Sequence, residues 1–104
     1  MRVRVTPEYG FGGFRLSDGN RAIEVPPDFS FEAAVLQPGE PFTSVLGLVT
    51  EPSHPLSGQW VALWQRTRGE RPTYNLLAFR ERPADPWKDR PDLTGFAVAE
   101  PISN

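Results

Sequence analysis

The residues able to do chemistry in this chain are few, and they sit in three places. His54 is the only histidine and lies in the segment EPSHPLSG (51–58), with Glu51, Ser53 and Ser57 beside it. A histidine among hydroxyls and a carboxylate has the ingredients of nucleophilic or general-base catalysis. A working triad, however, needs its members delivered to hydrogen-bonding distance from separate elements, and one proline-locked loop does not readily do that. The expectation is a solvated loop histidine and no catalytic residue. Asp85, Asp89 and Asp92 stand in the run DPWKDRPD, where carboxylates could converge on a hard cation. Their spacing matches no calcium loop, and Lys88 and Arg90 interrupt it. With one histidine and no cysteine, only carboxylates remain as metal ligands, so neither a metal nor a cofactor is expected.

The third place is EYGFGGF (8–14), where three glycines alternate with Tyr9, Phe11 and Phe14. No lysine follows the glycines, so this is not a phosphate-binding loop. Glycine at this density permits positive-φ turns and close backbone approach, which suits a corner folded over the core. The YGFGGF run, following a strand with two arginines, also resembles the aromatic-glycine strand of cold-shock domains. Leu36-Gln37-Pro38-Gly39-Glu40, ahead of an apolar strand, is similar to the approach to the fourth strand of an OB barrel. That resemblance implies a single-stranded nucleic-acid binder whose exposed aromatics stack bases. Here Tyr9, Phe11 and Phe14 would stack, and Arg2, Arg4 and Arg15 would meet phosphates. Two departures stand against it: Glu8 lies near the place of the family's lysine, and an extra glycine shifts the alternation.

These groups must be positioned by strands. The clearest unit is QWVALWQRTRGERPTYNLLAFR (59–80), two apolar runs flanking a polar turn with Gly69. A loop at 68–71 pairs Trp64 with Asn75, Ala62 with Leu77 and Trp60 with Phe79 on one face. Gln65 with Tyr74, Leu63 with Leu76 and Val61 with Ala78 take the other. Both faces are apolar. One fills a core; the other must be covered by a loop, a second sheet or another molecule. Arg66, Arg68, Arg71, Arg80 and Arg82 cluster around this hairpin, and Trp and Arg are the residues favoured at interface hot spots.

Elsewhere, residues 2–6 alternate around Val3 and Val5, and Pro7 ends that strand. Asp18-Gly19 is a hairpin turn between 14–17 and 20–25. Residues 29–37 read as a strand with Phe29, Phe31, Ala33 and Val35 on one face, in preference to a short helix capped by Ser30. Residues 43–50 form a central strand in which Gly47 marks a bend or a close neighbour, and 93–99 form a last strand. The segments 51–58 and 83–92, the latter carrying Trp87, are proline-rich loops. The fold class is therefore all-β: one domain of 104 residues, a small barrel or sandwich of seven to eight short antiparallel strands. The 12 prolines and 9 glycines fit its many turns, and 12 aromatic residues offset a hydrophobic share of only 38%.

The net charge of −2 is uneven: residues 16–58 set Arg21 against six carboxylates, while 59–82 carry five arginines against Glu70 and Glu81. A nucleic-acid binder is normally basic overall, so this mixed surface suits a protein partner better. No disulfide framework, basic-then-apolar leader or membrane-length apolar run is present, which points to a cytoplasmic or virion location. The leading expectation is a non-catalytic protein-binding or assembly module: a small structural subunit, a viral capsid- or tail-type component, or an inhibitor of a host protein. Its partner surface would be Trp60, Trp64, Phe79, Arg66, Arg68, Arg71 and Trp87.

Overall fold

The computed structural model of this chain describes residues 1–7, 14–17, 22–25, 28–39, 42–65, 74–87 and 95–101. Eight strands and no helix occur among them: β1 (Arg2–Pro7), β2 (Phe14–Ser17), β3 (Ala22–Val25), β4 (Phe29–Gln37), β5 (Ser44–Leu48), β6 (Trp60–Gln65), β7 (Tyr74–Phe79) and β8 (Gly95–Pro101). Five of them form one curled antiparallel sheet in the order β1-β4-β5-β6-β7, and the backbone of β8 pairs with both β7 and β1, closing the ring. β2 and β3 make a separate hairpin with Phe14 opposite Val25 and Leu16 opposite Ile23. β2 packs against β7 and β8 without joining their ladder. The all-β class is as the sequence indicates. The sheet itself uses fewer strands than the expected seven or eight, because the β2–β3 pair stands outside it.

The β6–β7 register is the one that turn and alternation predict, pair for pair from Trp60↔Phe79 to Gln65↔Tyr74. Its inner face supplies Val61, Leu63, Tyr74, Leu76 and Ala78, which pack with Val3, Val5, Phe29, Phe31 and Val45 in a core with essentially no solvent exposure. Gly47 lies on the inner face between Ala33 and Val61. A Cβ there would run into the Glu32 carbonyl and the Phe31 ring, so it marks a close neighbour.

One predicted face is corrected. Phe29, Phe31 and Ala33 point inward, but the β4–β5 register shifts between Ala33 and Val35. That bulge turns Val35 to the outer side opposite Leu46, and Leu36 is left exposed. A period-two count along the sequence cannot see the added residue.

Each end of the ring is closed by an apolar side chain from a loop. At the end where β5 leaves and β6 begins, Leu56 of the 49–59 loop is fully buried in the core. At the other end Phe42, just ahead of β5, is fully buried too; its ring meets Tyr74 at 5.2 Å, and the Tyr74 hydroxyl donates to the Phe42 carbonyl at 2.6 Å.

Candidate functional site

The outer face of β5, β6 and β7 carries the surplus apolar surface. Cross-strand pairing sets Leu48 beside Trp60 and Phe79, Leu46 beside Ala62 and Leu77, and Ser44 beside Trp64 and Asn75. The middle row is sealed: Leu46 and Leu77 are 2% exposed and Ala62 0%. Ala62 stands between two tryptophans on its own strand. Trp60, Trp64 and Phe79 are half-buried. The Arg82 guanidinium lies 5.2 Å from the Trp60 ring centroid, a cation–π contact that covers this corner from within the chain. The face is thus not the bare apolar patch that its composition alone implies. Its centre belongs to the chain, and what is left open is a rim of aromatics.

The rim includes a concavity. Trp64 and Trp87, separated in sequence by β7 and the proline-rich arm, line a shallow groove of about 430 Å³ with Gln37, Thr43, Ser44 and Gln65. All six of these described lining residues are uncharged, in a chain where 23% of residues are charged. The Thr43 hydroxyl is committed to the Pro38 carbonyl at 2.9 Å, whereas Gln37 and Gln65 are exposed and project amide donors and acceptors. Composition marks Trp64 and Trp87 individually. The four polar residues escape a sequence reading, because only the β5–β6 register places Ser44 opposite Trp64.

Of the other expected partner residues, Arg66, Arg68 and Arg71 lie outside the described residues, as do Tyr9 and Phe11 of the nucleic-acid reading. The backbone of Phe14 and Arg15 lies in β2. Arg2 is half-buried. Arg4 is exposed, but its guanidinium forks onto Asp28, Nε to Oδ1 at 2.9 Å and Nη2 to Oδ2 at 2.7 Å. That bond holds the Asp28 carboxyl below its ordinary range. Asp28 itself adopts φ 66°, a left-handed conformation that Asp tolerates better than most residues. An arginine already held by a carboxylate is a poor phosphate contact.

His54 is not the solvated loop histidine expected. Its ring packs on Phe29 with centroids 5.0 Å apart, and its Nδ1 accepts the Leu56 backbone N–H at 3.0 Å. Nε2 is buried and has no hydrogen-bond partner. Burial lowers the histidine's pKa below its ordinary value, against a smaller opposing pull from Glu51. No hydroxyl of the loop is bonded to the ring, so the residue holds a turn. Among the described residues no group of three or more potential ligands could hold a metal ion, and no helix is long and apolar enough to cross a membrane. Asp89 and Asp92 of the acidic run fall outside them.

Fold and site together describe a small curled antiparallel β-sheet, closed over an apolar core, with an aromatic rim and a shallow groove on its outer wall. Comparisons with protein families, with curated proteins and with solved structures return no match to this chain.

Proposed function

We propose that this chain is a non-catalytic protein-binding module that docks a partner on the rim of Trp60, Trp64, Phe79 and Trp87. The observation that carries the reading is the Trp64–Trp87 groove. Two indoles from separate elements line one shallow concavity whose other described lining residues are polar and uncharged, while the apolar row beside it is already sealed. Half-buried tryptophans present large, rigid contact area at little further entropic cost, which is why they anchor interfaces. The exposed amides of Gln37 and Gln65 add hydrogen-bonding capacity without a charge to desolvate. The capsid, tail, subunit and inhibitor roles all use such a surface. The nucleic-acid alternative draws less support, since Arg4 is engaged by Asp28 and none of the described residues lining the groove is a cation.

The test adds charge where the fold tolerates it. Gln65→Glu and Gln37→Arg alter exposed groove positions, and Ser53→Glu places the Gln65→Glu charge at the opposite end as a control. The groove variants weaken partner binding roughly tenfold or more, and the control leaves it unchanged. In the assembled sample Trp64 and Trp87 are shielded from acrylamide. A chain that light scattering shows to be monomeric in its native extract, with both tryptophans as open to quencher as in the purified protein, sinks the reading.

A further inference from the structure

The 49–59 loop carries a polar feature that the docking rim does not use. Leu56 is its one fully buried side chain apart from Val49, and it closes the end of the core. The loop is held by backbone bonds within itself: His54 N–H to Glu51 O, Ser57 N–H to His54 O, Gln59 N–H to Leu56 O, and Gly58 N–H to Val49 O. Gly58, at φ 82°, makes the turn that returns the chain to β6. To this frame one side-chain bond is added, from the backbone N–H of the plugging residue itself to His54 Nδ1.

We infer that His54 is an acid-released latch: protonation of its ring breaks the Leu56 N–H bond and frees the 49–59 plug from its end of the core. The chemistry follows from the donor and acceptor inventory. An imidazole nitrogen that accepts an N–H has a bare lone pair, so the ring is neutral with its proton on Nε2. Adding a proton to Nδ1 turns that acceptor into a second donor facing the Leu56 N–H, and no rotation of either group restores the bond while Leu56 stays seated. The ring also lies against Phe29, an apolar wall that favours the neutral form. Among the described residues the charged groups facing this end are Glu51 on the loop, Arg4 from β1 and Asp28 ahead of β4; with Phe29 and Ser30 they line one cavity of about 360 Å³. Arg4 and Asp28 are joined to each other, and Glu51 is the carboxylate that draws a proton toward His54. The released loop would swing into that open, polar side and uncover Phe29 and Leu56.

His54 is the only histidine, so its titration can be followed without ambiguity in the intact chain. Ring nitrogen and carbon NMR shifts of the wild-type protein show the Nε2–H tautomer and a midpoint below the ordinary 6.5. Backbone exchange, corrected for intrinsic rates, shows the amides of Leu56, Gly58 and Gln59 losing protection on acidification, by up to roughly tenfold per pH unit for uptake of one proton. The amides of Thr43 and Gln65, at the opposite end, keep theirs over the same range. His54→Asn places a non-titrating Oδ1 where Nδ1 accepts, and flattens the loop's response. The inference is overturned by an Nδ1–H tautomer, by a midpoint at or above 6.5, by both ends opening together, or by an acid response that survives in His54→Asn. If that variant does not fold, the wild-type tautomer, midpoint and two-ended exchange pattern decide alone.

Discussion

The two ends of this core solve one problem with different chemistry. Each has a strand connection to close, and each closes it by burying one apolar side chain and adding one side-chain hydrogen bond to the backbone of that residue. At one end Tyr74 donates its hydroxyl to the Phe42 carbonyl, and the two rings are in contact. At the other His54 accepts from the Leu56 amide. A phenol donor keeps its proton across the whole neutral range, and burial pushes the Tyr74 pKa up to about 12. An imidazole acceptor loses its function once it is protonated. The same architectural device is thus permanent at one end and conditional at the other. A small fold can therefore be given a responsive region without changing its strands.

The largest expected effects come from removing the plugs. Phe42→Ala costs about 3–5 kcal/mol and Leu56→Ala about 2–5 kcal/mol in denaturant unfolding near pH 7, because each leaves a cavity that the rigid wall cannot fill. If one plug proves dispensable while the other does not, the symmetry between the ends is false. Gly47→Ala probes the wall between them. Its Cβ meets the Glu32 carbonyl and the Phe31 ring, so overpacking of about 1–3 kcal/mol is expected, with protection lowered at both ends alike.

Tyr74→Phe sharpens the permanent end. It removes the donor while keeping the ring, leaves the buried Phe42 carbonyl unpaired and costs about 1–3 kcal/mol, equally at pH 5 and pH 8. In the wild type this end weakens only in alkali. The folded pKa lies above the unfolded value of 10, so the folded state holds its proton more tightly. Stability is whole below pH 10 and is lost as the pH rises toward about 12, as tyrosinate absorbance followed during unfolding would show. The smallest effect is at the conditional end. The folded pKa of His54 is below 6.5, so the unfolded chain takes up the proton first. Stability is whole above pH 6.5 and declines as the pH falls below it, read as a shift of the urea midpoint that His54→Asn lacks.

Much of the sheet is legible in the residue order. The β6–β7 hairpin can be written down pair by pair, because a polar turn and two facing apolar runs leave little freedom of register. Residues 29–37 favour a strand over a short helix by their shortness and their Pro38-Gly39 ending, without deciding between the two, and the fold makes them a strand. The bulge after Ala33 was not legible, since one residue opposite none leaves no mark on composition. Nor was the cover over the outer face. Trp60 and Trp64 read as surplus until Arg82 is seen over the Trp60 ring.

The candidate site divides the same way. Trp64 and Trp87 stand out by type, yet nothing local says that they share a groove, or that Gln37 and Gln65 flank it. His54 is the sharper case: its neighbours in sequence are polar and prolyl, which reads as a wet loop. The ring is instead pressed on Phe29, from a strand distant in sequence.

From the residue order alone come the strands, their alternation and the pairing across the central hairpin, because each depends on near neighbours and a turn. Which apolar face is sealed, which tryptophans line one groove, and whether His54 is wet or packed on Phe29 were decided only by the closed ring. Those outcomes rest on contacts between segments far apart in the chain, and such contacts exist only once the sheet has curled and its end loops have docked.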